Sequence, residues 1–294
     1  MNLICPRCKG ELKLEAPDQL RCEKEALIFC RVDGVWRFLL PERESHYSRF
    51  IEEYEKVRRF EGRFSADAAY YRALPFQDLS GRFSSDWKIR AASFRALIKM
   101  LPPNSTVLDL GAGNGWLSNR LASMGHVVSA VDLLTNAEDG LGVWKSYETK
   151  FTPVQAEFSF LPFQTGFIDV AIFNASLHYA EKVEQVLTEA LRVLQPNGLL
   201  VILDSPVYCD AGSGKAMIEE RKSKFLARYG FASDAIQSEG FLTYGGMEAL
   251  GQRLGILWQH FVPNYGWKWR IRPFVASLRG KREPAQFGVW LGRR

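Results

Sequence analysis

Glycines at alternating positions follow an apolar run near residue 110. The string begins with Asp109 and continues through Gly111, Gly113 and Gly115. Such a turn lets backbone approach a ligand closely and directs the N-terminus of the next helix toward it. The dinucleotide fingerprint needs a small residue one position after the last glycine, where this chain has Trp116. The pattern therefore predicts a nucleotide-like ligand other than NAD.

Acidic residues end the next two predicted strands. Asp132 ends the first, where a carboxylate accepts hydrogen bonds from both hydroxyls of a ribose. Glu157 and Phe158 follow the second, and they suit the amino group and the ring face of an adenine. Residues 174–179 end a further strand with polar side chains. These groups together predict a binding site at one edge of a sheet.

This ordered set resembles the class I S-adenosylmethionine-dependent methyltransferases, with a core like that of the type 11 methyltransferases, over roughly residues 87–204. The resemblance implies an α/β, Rossmann-like fold with a seven-stranded, mostly parallel sheet whose last two strands pair antiparallel. It also implies an enzyme that uses S-adenosyl-L-methionine. The residues that it assigns to the cofactor are Asp109, Gly111, Ala112, Gly113, Asn114, Gly115, Asp132, Leu133, Glu157, Phe158, Asn174 and Ala175.

Two residues after the fourth predicted strand are candidates for catalysis. Methyl transfer from a sulfonium is an in-line displacement, so the protein mainly aligns the reactants and, where required, removes a proton from the acceptor. His178 is the candidate general base because it titrates near neutrality, and Tyr179 is a candidate to orient an acceptor hydroxyl. The alternative for both is that they only shape the pocket.

Four of the five cysteines lie in the first 30 residues, in the order Cys5, Cys8, Cys22 and Cys30. Clustering of this kind favours a metal in a reducing compartment. The segment resembles small zinc ribbons found in front of some methyltransferases and in tRNA-methyltransferase activator proteins. Glu25 occupies the position of the fourth cysteine in that pattern. Cys30 is the expected fourth ligand, because thiolate outcompetes carboxylate in a closed structural Zn²⁺ site, and the alternatives are Glu25 or a degenerate site.

Three segments position these groups. Residues 1–40 predict a small β-rich, zinc-ribbon-like domain, residues 41–86 an aromatic helical linker or lid, and residues 87–294 the methyltransferase domain. Helical spacing of apolar residues predicts a helix over 45–60. The predicted strands of the large domain cover residues 106–110, 127–131, 152–155, 168–174, 199–204, 256–262 and 286–291.

Charge is unevenly distributed along the chain. The net charge is +5, and residues 253–294 alone carry nine basic residues and one acid. With its tryptophans this region has two interpretations, an RNA-facing surface or an ordinary late-strand region. We expect a small-molecule acceptor, because the residues after the fourth strand resemble those of small-molecule methyltransferases. The alternatives are an RNA base methyltransferase and a non-catalytic cofactor-binding module, and the ribbon is a candidate surface for a protein partner.

The apolar runs are far shorter than the ~18 residues that a membrane span needs, and residues 1–6 do not resemble the apolar region of a signal peptide. The sequence therefore predicts a cytoplasmic protein without a membrane partner.

Overall fold

The computed structural model describes residues 3–294, so Met1 and Asn2 of the N-terminal stretch considered above lie outside the described residues. The strands are β1 (Lys13–Ala16), β2 (Gln19–Cys22), β3 (Leu27–Val32), β4 (Val35–Arg37), β5 (Thr106–Leu110), β6 (Val127–Asp132), β7 (Thr152–Gln155), β8 (Ile168–Asn174), β9 (Leu194–Leu203), β10 (Val207–Tyr208), β11 (Leu242–Thr243), β12 (Leu257–Phe261) and β13 (Val289–Arg293). The α-helices are α1 (Pro41–Glu61), α2 (Ala68–Ala73), α3 (Ser84–Leu97), α4 (Trp116–Ser123), α5 (Val183–Val193), α6 (Ala211–Tyr229), α7 (Tyr244–Leu254), α8 (Trp267–Arg270) and α9 (Arg272–Leu278).

Eleven of these strands form one mixed sheet, in the order β1-β2-β3-β4-β7-β6-β5-β8-β9-β13-β12. The five strands from β7 to β9 are parallel to one another, and β13 is antiparallel to both of its neighbours. The α/β class is confirmed, and β12 and β13 form the expected antiparallel pair. The large domain contributes seven strands to this sheet, but the sheet as a whole is not seven-stranded, because the four N-terminal strands continue it.

β4 joins the N-terminal strands to the rest of the sheet. It pairs in parallel with β7, with Trp36 opposite Val154, whereas β1 to β4 pair antiparallel among themselves. Phe29 and Phe38 stack with their ring centroids 4.6 Å apart, and both belong to a hydrophobic cluster that also holds Leu108 of β5. The boundaries at residues 40 and 86 stay predictions, but the first segment shares its sheet and its core with the third.

Both faces of the parallel strands are covered. Leu108 and Leu110 of β5 belong to one hydrophobic cluster, and Val107 belongs to a second. Successive side chains of a strand point to opposite faces, so the two clusters lie on the two sides of the sheet. This explains why the strands read as continuous apolar runs in the sequence.

Helix α1 is longer than the predicted 45–60. It begins at Pro41, because the first helical position tolerates a residue without an N–H, and it ends at Gly62, whose φ of 68° lies in the left-handed region that favours glycine. β9 also begins earlier than predicted. Leu194 already lies opposite Ile168 of β8, and an irregularity in the register follows.

Candidate functional site

The glycine turn connects β5 to α4. Gly111 and Gly113 have φ values of 80° and 54°, in the region that favours glycine. A Cβ atom on Gly111 would collide with the side chain of Ser176, whereas one on Gly113 would make only an ordinary van der Waals contact, with the carbonyl oxygen of Asp139 at 3.7 Å. The turn therefore requires glycine at 111 for packing, and it leaves backbone accessible at 113.

Asp132 ends β6 beside this turn. One carboxylate oxygen accepts a hydrogen bond from the backbone N–H of Gly113 at 2.8 Å, and the other accepts one from Leu134 at 2.9 Å. Burial raises the pKa of Asp132 to about 6, and the backbone donors partly offset this. The predicted ribose acid is thus oriented by its neighbours and lies at the edge of a cavity.

Glu157 lies just beyond β7 and is buried. Its carboxylate accepts hydrogen bonds from Arg43 Nε at 2.9 and 3.1 Å, and from a terminal nitrogen of the same guanidinium at 2.9 Å. The hydroxyl of Tyr47 donates a further bond at 2.9 Å. Both partners belong to α1, so this carboxylate ties α1 to the end of the third parallel strand. Phe158 packs edge-on against Phe173, with ring centroids 5.5 Å apart.

A cavity of about 130 Å³ opens between α1 and the carboxyl ends of the parallel strands. Tyr47, Phe50 and Tyr54 of α1 form one side of it. The predicted site residues that line it are Gly111, Gly113, Asp132, Leu133, Glu157, Phe158, Ala175 and Tyr179. The structure therefore brings eight of the predicted cofactor and catalytic residues to one place, and it puts the aromatic face of α1 against them.

Other predicted residues lie around the cavity instead of lining it. Asp109 is fully buried under the turn, where one oxygen accepts a hydrogen bond from Ser118 at 2.7 Å and the other has no hydrogen-bond partner within residues 3–294. Burial raises the pKa of Asp109 to about 7. Asn114 accepts a hydrogen bond from the backbone N–H of Trp116 at 3.3 Å. The remaining predicted residues outside the lining are Ala112, Gly115, Asn174 and His178.

Asn174 and Ala175 end β8. The side-chain oxygen of Asn174 is buried and has no hydrogen-bond partner among the described residues. Ala175 has a φ of 54°, which is strained for a residue with a Cβ atom. An unpartnered buried acceptor beside a strained residue is typical of a position that contacts a ligand.

The surroundings of His178 disfavour its protonated form. Burial, together with the charges of Arg221 and Arg90, lowers its pKa to about 3. A catalytic base works best with a pKa near the working pH. The Nδ1 atom lies 3.3 Å from the hydroxyl oxygen of Ser205, and the ring packs on Tyr179 with centroids 4.3 Å apart. The neutral imidazole thus holds Tyr179, which does line the cavity.

Arg43 and Arg58 of α1 were not predicted to belong to the site. Arg58 donates a hydrogen bond to Asp139, whose other oxygen accepts one from Asn114 at 3.3 Å. Arg43 lies four residues before Tyr47, one helical turn apart, so both reach Glu157. The four-residue spacing of Arg43 and Tyr47 could have indicated that both belong to the site. The prediction of a lid used only the aromatic residues of α1.

Three of the four clustered cysteines come together. The sulfur atoms of Cys5, Cys8 and Cys22 all lie within 4.8 Å of one another. Cys30 is not in this group; it lies in β3 opposite Gln19. The predicted four-cysteine set is therefore not assembled. The carboxylate of Glu25 contacts Arg7 at 3.4 Å, and its charge acts on Cys8.

The tryptophans of the basic C-terminal region are mostly packed. Trp258 and Trp290 meet edge to face across β12 and β13, with centroids 6.0 Å apart. Trp269 stacks on Phe287 at 5.3 Å, and Arg272 covers it at 3.7 Å. Their ring faces are therefore engaged within the protein, which weakens the interpretation of this region as a base-stacking RNA surface.

Comparisons with known proteins find similarities in the part of the chain that holds the glycine turn and the parallel strands. Residues 108–202 match a family described as a methyltransferase domain. A malonyl-[acyl-carrier protein] O-methyltransferase from Buchnera aphidicola is 30% identical over 98 residues, which is 33% of this chain and 38% of that protein. A ubiquinone biosynthesis O-methyltransferase from Rickettsia conorii is 25% identical over 166 residues, or 56% of each protein.

A solved structure shows the same fold. An S-adenosylmethionine-dependent methyltransferase from Mesorhizobium loti superposes with a TM-score of 0.50 at 21% identity, over 69% of this chain and 98% of that one. The chain spans 38% and 56% of the lengths of the two curated relatives. Residues 108–202 are thus similar to a methyltransferase domain, and the fold is that of the Mesorhizobium loti structure.

Proposed function

We propose that this chain transfers the methyl group of S-adenosyl-L-methionine to a small-molecule acceptor. The observation that supports this most directly is the cavity at the carboxyl ends of the parallel strands, where Gly113, Asp132 and Phe158 lie together. Ligands of open α/β sheets bind at this edge. The two relatives are named for acyl-carrier and ubiquinone chemistry, which supports a small acceptor.

The residues fit the cofactor. We assign the ribose hydroxyls to Asp132, the adenine to Phe158 and the Glu157 side, and the methionine portion to the glycine turn. The unpartnered oxygen of Asn174 is available to the cofactor's polar groups. Arg90 is a candidate for the methionine carboxylate, because among residues 3–294 its guanidinium has no hydrogen bond or ion pair and only lies over Trp87 at 5.1 Å.

Helix α1 serves as a lid in this proposal. The cavity of about 130 Å³ is smaller than the roughly 300 Å³ at the lower end of small-molecule pockets. Outward movement of α1 would enlarge it, and Arg43 with Glu157 then reclose it. A closed lid excludes water and holds the reactants in line.

The cofactor would supply an electrophilic methyl group on sulfur. Tyr179 is then the residue that we assign to the acceptor side, because it lines the cavity and contacts the lid residues Phe50 and Tyr54, each with ring centroids 6.2 Å away. His178 is assigned a positioning role beneath Tyr179 and remains neutral at physiological pH.

The cysteine cluster is proposed to hold a structural Zn²⁺. Three thiols within 4.8 Å of one another are the soft donors that zinc prefers, and β1 to β4 are too short to bury a core of their own. Neither Glu25 nor Cys30 belongs to this group of three. Glu25 replaces Cys30 as our choice for the fourth ligand, because its carboxylate lies 3.4 Å from the side chain of Arg7, which stands between Cys5 and Cys8.

Calorimetric titration tests the cofactor assignment. We expect saturable binding of S-adenosylmethionine and of its demethylated product, and none of NAD. Radiolabelled methyl transfer is then measured with a small-molecule extract and with total RNA, each with and without ribonuclease. Label that stays in the small-molecule fraction after ribonuclease supports the proposal. Absence of binding by either sulfur compound would refute it.

A further inference from the structure

A stripe of large apolar side chains lies exposed near the C-terminus. Trp267 and Phe274 are 67% and 66% exposed, and Ile271 and Leu278 are 42% and 72% exposed. Folded proteins rarely leave a contiguous apolar patch in water unless it binds something. None of these four residues contributes to the cofactor cavity, so the proposed methyl transfer does not account for them.

The four side chains share one face of a nearly continuous helix. Helices α8 and α9 are separated only by Ile271, and α-type hydrogen bonds continue across it, from Ile271 N to Trp267 O at 3.2 Å and from Val275 N to Ile271 O at 3.0 Å. The apolar residues follow one another at intervals of four, three and four positions. At 3.6 residues per turn this spacing places them in a single stripe.

Basic side chains flank the stripe. Residues 267–282 contain six basic residues and no acidic one, and Lys268, Arg270, Arg279 and Lys281 are exposed. A helix with an apolar stripe and cationic flanks is the form that lies in the interface of a bilayer, with the apolar face among acyl chains and the cations at anionic headgroups. A second copy of this chain fits less well, because two surfaces of the same positive charge repel.

RNA matches the cations but not the stripe. Trp267 and Phe274 are the exposed aromatic rings of the stripe, and Lys268 lies over the Trp267 ring at 5.8 Å, whereas Trp269 is covered by Phe287 and Arg272. Ile271 and Leu278 cannot stack on bases as aromatic rings do. The exposed surface therefore combines aliphatic with aromatic side chains, and this composition suits lipid better than RNA.

We propose that the stripe of Trp267, Ile271, Phe274 and Leu278 binds peripherally to the surface of a bilayer that contains anionic lipids. Tyr265, two residues before the stripe, hydrogen-bonds to Ser93 at 2.8 Å, and its hydroxyl lies 3.4 Å from a carboxylate oxygen of Asp204, at the end of β9. This network holds the stripe near the edge of the sheet where the cavity opens. In the described part of the chain, no helix is long and apolar enough to span a membrane, so attachment is at the surface only.

Vesicle co-sedimentation of the full chain tests this proposal. We expect binding to phosphatidylcholine vesicles with about 30% phosphatidylglycerol, weaker binding to phosphatidylcholine alone, and loss of binding as salt is raised. The double variant Trp267→Ser, Phe274→Ser should bind at least about tenfold more weakly. Leu257→Ser is the matched control, because Leu257 is 78% exposed and lies in β12, and it should bind like the unaltered protein.

A charge variant separates the electrostatic from the hydrophobic contribution to binding, and unfolding temperatures show whether a variant has a folding defect. Arg279→Glu with Lys281→Glu should remove the preference for anionic vesicles, while unfolding temperatures of all variants stay close to that of the unaltered chain. No binding to anionic vesicles, or equal binding by the double serine variant, would overturn the proposal. The proposal would also be overturned if the chain bound a structured RNA, if the serine substitutions left that binding unchanged, and if vesicles did not compete with it. The assay needs no methyl transfer, so it stands or falls apart from the proposed enzyme activity.

Discussion

Arg43 in the first turn of α1 and Glu157 beyond β7 form an ion pair in which two guanidinium nitrogens meet both carboxylate oxygens at 2.9 to 3.1 Å. Only 3% of the Glu157 side chain is exposed, so water screens the pair weakly. Tyr47 completes the set of donors. The carboxylate predicted for adenine recognition is therefore also the anchor of the helix above the cavity.

Replacing Glu157 with Gln tests this anchor. The substitution leaves Arg43 with the more distant carboxylate of Glu181, 3.4 Å away, and 26% of the Arg43 side chain is exposed. We therefore expect the free energy of unfolding to fall by about 2 kcal/mol, less than for a fully buried pair that loses one partner. Chemical denaturation measures the loss. Lys13→Ala is the control, since Lys13 pairs with Glu23 where both side chains are exposed, and it should cost less than about 0.5 kcal/mol. Equal losses would contradict the role of Glu157.

Replacing Asp132 with Asn tests the ribose assignment. Loss of the charge should weaken binding of the demethylated cofactor about ten- to hundredfold, because hydrogen bonds to charged groups are the stronger ones. Titration calorimetry measures the affinity. Asp169→Asn provides the comparison, since Asp169 accepts a hydrogen bond from Thr106 N at 2.7 Å at the opposite end of the strands. Unchanged affinity in Asp132→Asn would show that the ribose binds elsewhere.

Asp109 should make stability depend on pH. Burial raises its pKa to about 7 in the folded protein, whereas the unfolded carboxyl titrates near ~3.9. Between these pH values the Asp109 carboxyl is deprotonated in the unfolded chain but still protonated in the folded one. The stability that Asp109 contributes is therefore full below about pH 4 and is lost as the pH rises toward about 7. Asp109→Asn should lack the effect and still accept from Ser118.

Urea denaturation at about pH 5 and about pH 7.5 measures the difference. Relative to Asp109→Asn, the unaltered protein should lose about 2 kcal/mol between the two values. Parallel behaviour of both proteins would mean that Asp109 titrates normally.

The thiol cluster should bind about one Zn²⁺ per chain if the metal assignment is right. The Cys5→Ser variant should release the zinc, whereas the Cys30→Ser variant should retain it, because Cys5 lies in the group of three thiols and Cys30 does not. Glu25→Gln should weaken metal retention if this carboxylate is the fourth ligand. Elemental analysis after dialysis measures each case. Loss of zinc by Cys30→Ser as well as by Cys5→Ser would restore the ligand set expected from the sequence, and retention by Cys5→Ser would show that the thiol cluster is not the site.

The sequence predicted the parallel core closely, because its strands are buried on both faces and bounded by glycine and asparagine turns. β5, β7 and β8 have the predicted bounds. Asp132 and Gly113 also fell where expected, since a strand end fixes the place of the residue that follows it. These are local consequences of the chain order.

Contacts between distant segments were not predictable in this way. Nothing in the sequence pairs Trp36 with Val154, and nothing local assigns Arg43 to a carboxylate 114 residues away. The same limit applies to Cys30, whose spacing suited a ligand but whose strand carries it away from the other thiols. His178 was chosen for its ordinary pKa, and only the fold brings the charges of Arg221 and Arg90 near it.

The parallel pairing of β4 with β7 also affects solubility. A domain that ended at β7 would present that strand's unpaired N–H and C=O groups to solvent, and such edges recruit other chains and aggregate. The N-terminal strands cover this edge and move it outward to β1, which has only four residues and carries Lys13 and Glu15. Short, charged edges resist further pairing. Removal of the first 40 residues would therefore do more than delete the thiol cluster, because it would expose an aggregation-prone strand beside the cavity.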